Sequence, residues 1–498
     1  MREAPPMNRS DALEELTKAP LDVLVIGGGI VGAGVVRDAA MRGLRAGLIE
    51  QHDFAFGTSS RSSRLLHGGL RYLAQGRIGL VREASVEKRI IHTIAPHIAA
   101  PLAFVFPAYR GAPWDPWVLW KLRIGVKLYD LLCGGRNLGR SSSFDARELR
   151  EYLPGIREAG LTGAVRYYDG LTNDARLVID TLRSAAGAGA LLFNYCRLED
   201  ADPAGGAWSC FIRDVLSDRP GEAKARCVVN ASGPWAGQLP HSRVRLRLTK
   251  GVHLVIDRAR LPVPDAVVMT EGNRILFAIP WGERVILGTT DTDYDGPIEA
   301  VRTDPADIRY ILRVVNGAFP QAGLALTDVI SSWAGLRPLI ADPDGRPSDI
   351  SRAHEILSPE PGWWDVAGGK LTTYRLMAEQ TVDRIVKHLG CRAAPCATAG
   401  TPLLGPEDAD DLSRITPPAV TPEAVRHYCR NEWAVHLDDV MVRRTSWHYY
   451  HRDADRIAAR VGEWMAAILD WTSEQRNNEL ERYRRLLDPP APAGAGPT

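Results

Sequence analysis

Apolar and polar positions alternate along this chain in two rhythms, and the change between them divides it. Near the start, Asp22 to Ile26 carries the short apolar run VLVI, the pattern of a strand buried on both faces. A glycine turn, the helical stretch VVRDAAMRG and a second run, AGLI, closed by Glu50, follow at once. Strand, turn, helix and strand in that order predict the βαβ unit of a parallel sheet. Residues 51–76, rich in Gly, Ser and Arg, read as loop with short helical turns, and 78–92 as a helix. The middle changes rhythm. RVRLRL (243–248) alternates strictly and predicts a half-buried strand, GVHLVID another, and RILFAIP with RVILGTTD a hairpin about the turn WGE.

Two later stretches, CVVNASGPWAG (227–237) and VAGGKLTTYRLMAEQTVDRIVKHL (366–389), return to strand, small-residue turn and helix. The first fold is therefore built from separated pieces, and the expected class is α/β with a mostly antiparallel second domain. Pro402, Pro406, Pro417 and Pro418 give 390–420 the composition of a linker, and 421–488 reads as mostly helical.

Composition narrows the function. Of 498 residues, 45% are hydrophobic and 24% charged, which excludes wholesale disorder. Lys and Arg total 61 against 60 acids, so the chain lacks the global basic footprint of a nucleic-acid binder. Seven scattered cysteines have no zinc-site spacing and read as incidental thiols of a reducing compartment. Asp11, Glu14 and Glu15 interrupt the first 20 residues where a signal peptide needs an apolar core. No apolar run reaches the roughly 18 residues of a membrane span. The expectation is a cytoplasmic protein with at most peripheral contact to the inner face of the cell membrane.

The turn GGGIVG sets Gly27, Gly29 and Gly32 in G-x-G-x-x-G spacing. Gly27 permits the tight turn, Gly29 admits a pyrophosphate to the backbone, and Gly32 lets helix and strand pack closely. Glu50 ends the second strand where an acid holds a ribose hydroxyl and disfavours a 2′-phosphate. These residues do not separate NAD from FAD. The stretch GTSSRSSRLLHGGLRYL (57–73), dense in hydroxyls and glycines, could line an extended phosphate and ring site or be a solvated loop.

TSSRSSRLLHGGLRYL, NASGPWA, KGVHL, PWGERVILGTTDTDY, GLRPL and GGKLTTYR, in this order, resemble the FAD-dependent glycerol-3-phosphate dehydrogenase and oxidase family over residues 20 to 390, with traces such as VRRTSW in the tail. The resemblance implies a Rossmann-type FAD-binding domain of the glutathione-reductase-like, D-amino-acid-oxidase-like branch, an antiparallel-sheet substrate domain and a small C-terminal helical cap. After a polar leader (1–20), the FAD-binding domain would take 21–100, 166–240 and 346–390. The substrate domain would take 101–165 and 241–345, followed by a linker (391–420) and the cap (421–498). FAD would contact Gly27, Gly29, Gly32, Glu50, Thr58, Ser59, Ser60, Arg64, Leu66, His67, Gly68, Ala231, Gly233, Gly369, Lys370, Leu371 and Thr372. Taken alone, GGKLTT reads as an ordinary helix start capped by Thr372.

The substrate implied is glycerol 3-phosphate, oxidised at C2 with electrons passed to a quinone. Arg337, Arg352, Lys370, Arg71 and Tyr72 would hold the dianion. His253 is the first choice for the base that takes the hydroxyl proton, and His67 the second. Ala353, after Arg352, departs from the polar residue of the family, and the tail is shorter than expected; that tail is where the family's dimer and membrane contacts are expected. Alternatives are an oxidase using O₂, a dehydrogenase of another polyol phosphate, or, from a different class, an NAD-binding or tRNA-modifying protein.

Overall fold

The apolar runs at 21–26, 46–49 and 227–230 form strands covered on both faces, as their lack of alternation requires. The computed structural model describes residues 9–69, 77–111, 117–133, 137–272, 274–341, 354–405 and 411–487. Strand Leu21–Ile26 lies at the centre of a parallel set. Ala46–Ile49 and then Leu191–Phe193 pair on one side, and Arg219–Asn230 and then Trp363–Gly368 on the other. Helices Ile30–Met41, Asp174–Gly187 and Tyr374–Leu389 pack together on one face. On the other face Leu21, Leu24, Ile26 and Ile49 meet Trp208, Cys210 and Ile212 of an antiparallel flap, Cys196–Ala204 with Ala207–Asp214. The expected polar leader contributes here too. Its residues 9–18 form a helix whose Leu13 and Leu16 are buried in the same core, anchored by an ion pair from Arg9 to Asp214 at 2.7 Å.

The second sheet runs Thr292–Asp293, Leu246–Asp257, Arg284–Gly288, Arg274–Trp281, Ala266–Glu271, Ala99–Tyr109, Leu161–Thr172, Leu65–Leu66, with Val329–Ile340 also on Leu246–Asp257. Its pairings are antiparallel except between Ala266–Glu271 and Ala99–Tyr109. The hairpin turns at Gly282–Glu283, as read from WGE. The strand read from 243 starts instead at Leu246. Upstream, the N–H of Arg243 donates to Asp365 and that of Val244 to Ser242 Oγ, so the ladder cannot begin there. The boundaries placed after 100 and after 165 fall inside Ala99–Tyr109 and Leu161–Thr172, and each strand stays in the second sheet throughout.

The tail is helical, with Pro422–Asn431, Ala454–Leu469 and Ser473–Leu487 around a core of Tyr428, Trp447, Met465 and Tyr483. All seven cysteines are free. Among the described residues no helix is long and apolar enough to cross a membrane.

Candidate active site

The first helix begins where the glycine turn leaves it no alternative. Gly27 has φ +110°, and a Cβ there would lie 2.6 Å from the carbonyl oxygen of Ala231. A Cβ on Gly32 would collide with the carbonyl oxygen of Gly27, so that residue serves the packing of helix on strand. The helix then opens with its N-terminus on a cavity, lined here by Gly29, Ile30 and Val31. The Ile30 N–H donates to Ser59 Oγ at 3.0 Å. Glu50 accepts from the N–H of Gly28 at 2.7 Å and from that of His52 at 2.9 Å, and burial pushes its carboxyl above the usual range.

The cavity, about 1010 Å³, runs from this turn across to the second sheet. That is the upper end of small-molecule sites. Its wall takes in Gly27, Gly29, Glu50, Thr58, Ser59, His67, Ala231, Gly233, His253, Arg337, Gly369, Lys370 and Leu371. Thr58 is turned partly away, its hydroxyl donating to the carbonyl of Leu336 at 2.6 Å. Gly368 and Gly369 have φ of +71° and +79°, and this turn feeds the helical start Leu371–Thr373.

Six residues expected to touch the cofactor lie off this wall. Gly32 is taken up by helix packing, as above. Ser60 and Leu66 are buried behind the wall, and Gly68 is packed against the Tyr129 hydroxyl. Arg64, 2% exposed, lies with its guanidinium 4.3 Å from the ring centre of Trp281 and donates to Ser446 Oγ at 2.9 Å. Thr372 is off the wall and does not cap the helix: its hydroxyl accepts from the His67 N–H at 3.1 Å and lies 3.3 Å from the His67 carbonyl, tying the two turns together. Arg71, Tyr72, Arg352 and Ala353 lie outside the described residues.

Opposite the glycine turn, paired strands set the polar groups. Thr249 pairs with Arg337 and His253 with Trp333. The Arg337 guanidinium occupies the space a Cβ on Gly251 would need, which explains the glycine of KGVHL. It donates to Asp291 at 3.2 Å, Thr289 Oγ1 at 2.9 Å and the Thr290 carbonyl at 3.1 Å, which fixes the fork at the cavity wall.

His253 is 2% exposed, stacked on Trp333 at 5.2 Å, with Nε2 2.8 Å from Ser63 Oγ. Burial first, then the guanidinium charges of Arg337 and Arg64, push its imidazole down to about 3. Its surroundings therefore favour the neutral ring. His67 is half-buried on the same wall. Just behind it, Asp169 accepts from the Gly68 N–H at 3.2 Å, the Tyr129 hydroxyl at 2.5 Å and Lys88 Nζ at 2.8 Å.

An apolar arm escaped the sequence reading. Phe104, Phe106, Trp117, Tyr167, Val268 and Phe277 line one end of the cavity. In LAFVFP the apolar run is unbroken, so periodicity could not say which face met a ligand. Trp235 and Asp169 were also missed, although Trp235 stands within NASGPWA and alternation with Tyr167 would have put Asp169 on the face it shares.

The residues present fit FAD. Backbone approach is open at Gly29, a helix N-terminus faces the pyrophosphate position, an acid stands at the ribose position, and a second helical start closes the far end.

Comparison with known proteins agrees. The family described as FAD dependent oxidoreductase matches residues 22–384, and that described as C-terminal domain of alpha-glycerophosphate oxidase matches 369–476. The chain is 34% identical to glycerol-3-phosphate dehydrogenase 2 of Mycobacterium tuberculosis, covering 97% of this chain and 91% of that protein. It is 39% identical to the aerobic glycerol-3-phosphate dehydrogenase of Bacillus subtilis, over 80% and 73%. The solved glycerol-3-phosphate dehydrogenase of Bacillus halodurans, complexed with FAD, superposes with a TM-score of 0.79 at 30% identity, over 98% of this chain and 99% of that one. From its glycine turn to its helical tail, the chain belongs to the FAD-dependent glycerol-3-phosphate dehydrogenase family.

Proposed function

We propose that the chain oxidises the C2 hydroxyl of sn-glycerol 3-phosphate to dihydroxyacetone phosphate and delivers the electrons to a quinone. The observation that carries this reading is the cavity itself. It joins a dinucleotide turn to a wall bearing Arg337, Lys370 and two histidines. Bound FAD supplies the acceptor for the hydride leaving C2. Arg337 holds the phosphate, its fork fixed by Asp291 and Thr289. An imidazole nitrogen of His67 takes the hydroxyl proton. His253 is the poorer base, because a proton there would be buried and would face the charges of Arg337 and Arg64. As a neutral ring it orients the substrate. Anaerobic titration of the yellow protein with glycerol 3-phosphate tests the reading. Bleaching of the flavin bands is expected, and an unchanged spectrum would overturn it. Faster reoxidation by a soluble quinone analogue than by air is expected, and the reverse order would make the chain an oxidase.

The division of labour follows the sheets, with FAD on the parallel sheet and the phosphate gripped by the antiparallel one. The apolar arm suits a quinone ring. It includes Trp117, just before helix Leu119–Leu132, which exposes Trp120 (58%), Ile124 (60%) and Leu131 (71%) beside Arg123 and Lys127. Apolar groups flanked by cations suit the surface of an anionic bilayer. Changing Trp120 and Ile124 together to Glu should weaken co-sedimentation with phosphatidylglycerol vesicles at least tenfold. Flavin reduction by substrate should stay unchanged. Undiminished sedimentation would rule this face out.

A further inference from the structure

The tail motif VRRTSW has no place in the proposed function, yet its side chains are buried and reach residues far away in sequence. Arg443 and Arg444 are buried, and both donate to the carboxylate of Asp53, Arg443 also to those of Asp438 and Asp439. Arg444 donates to Asp53 through two nitrogens at 2.6 and 2.9 Å, and Arg443 through Nε at 2.5 Å. Asp53 lies 391 residues away in sequence from Arg444. It sits inside the turn that carries Glu50, Gln51 and Phe56 onto the cavity wall. Around that carboxylate the turn is closed by its own backbone, Ala55 N–H to the Gly28 carbonyl at 2.9 Å and Phe56 N–H to the Asp53 carbonyl at 3.1 Å. The Asp53 side chain, which also accepts from Asn194 Nδ2 at 3.2 Å, is thus the group through which the tail holds this turn.

Two residues on, the same segment reaches the other half of the site. Ser446 Oγ accepts from Arg64, whose guanidinium lies 5.4 Å from the ring centre of Trp333. Trp333 in turn stacks on His253. Ser446 has φ +60°, a left-handed conformation that disfavours any residue with a Cβ and persists where its surroundings fix it. Thr445 helps fix it, its hydroxyl donating to the Val440 carbonyl at 2.6 Å.

We propose that Arg444 and Ser446 are positioning residues of the active site, Arg444 for the FAD-binding turn through Asp53 and Ser446 for the substrate wall through Arg64, Trp333 and His253. A carboxylate gripped by a planar fork cannot swivel, so the turn bearing Glu50 is held at the distance a ribose requires. A guanidinium held by Ser446 and, on its Nε side, by Asp174 at 3.8 Å keeps its face on tryptophan, and Trp333 keeps the plane of His253. The second half rests on the substrate reading proposed above; the first rests on the FAD-binding turn alone.

The test uses the purified holoenzyme. FAD release on dilution is followed by flavin fluorescence, and anaerobic reduction by glycerol 3-phosphate is followed by rapid mixing. Arg444→Met should raise the FAD dissociation constant at least tenfold while the flavin that remains bound binds substrate within twofold of the parent. Ser446→Ala should retain FAD within twofold and slow the limiting reduction at least fivefold. Arg444→Lys, which keeps the charge but loses the fork, should fall between Arg444→Met and the parent in FAD retention. A purely structural role would lower the melting temperature and move both properties together or neither, and either pattern overturns the proposal. If Arg444→Met does not accumulate, parent-like FAD retention in Arg444→Lys overturns the Arg444 half. If the parent itself is not reduced by glycerol 3-phosphate, the substrate reading fails, and FAD release still decides the first half.

Discussion

Replacing His67 by Gln should slow reduction of the flavin by glycerol 3-phosphate at least roughly a hundredfold, with FAD content unchanged. The backbone of His67 is held by the Thr372 hydroxyl and that of Gly68 by Asp169, so the ring is delivered to the wall on a fixed turn. Glutamine can still form a hydrogen bond there but cannot take the proton. The parallel variant His253→Gln should cost less than about tenfold, because a ring held near 3 contributes shape and a hydrogen bond rather than basicity. The pH dependence separates them. A base works only when deprotonated, so the rate falls as pH drops through its pKa. That acid limb should vanish in His67→Gln and survive in His253→Gln. The opposite assignment of the limb would return the proton to His253.

The second large effect belongs to Arg337. Exchange for Met keeps an apolar stem and removes the fork that lies over Gly251. The dissociation constant for glycerol 3-phosphate should rise about a hundredfold, the equivalent of ~2.7 kcal/mol, which is the scale of a charge-assisted hydrogen bond made in a dry site. The flavin spectrum should stay as it is, since Arg337 lies on the sheet opposite the glycine turn. A dissociation constant within threefold of the parent would show that the phosphate is gripped elsewhere, with Lys370 the next cation on the wall.

What could be read from the sequence followed from locality. The turn at Gly27, the acid at Glu50 and the hairpin at Gly282 each depend on neighbours within a few residues, so spacing alone expresses them. Arg64 shows the limit. It stands in a hydroxyl-rich stretch full of plausible ligand contacts, but two tryptophans from the second sheet, Trp281 and Trp333, claim its guanidinium. Thr372 is similar: its hydroxyl could cap its own helix, but the His67 turn, brought in by the fold, takes it instead. His253 and His67 were distinguishable only through their surroundings, because two histidines in two motifs carry no record of which one lies between guanidinium groups.

The strand order of the parallel sheet has a consequence for the timing of synthesis. Leu21–Ile26 is made first, but its inner partner Arg219–Asn230 and the strand beyond it, Trp363–Gly368, are made much later. At ribosomal speeds of about 5–20 residues per second, the glycine turn waits roughly 20 to 70 s for the last parallel strand to emerge. Until then the turn at Gly368 and Gly369 is missing from the cavity wall. The cavity wall is therefore complete only once Gly369, Lys370 and Leu371 have been made, near the end of the FAD-binding sheet.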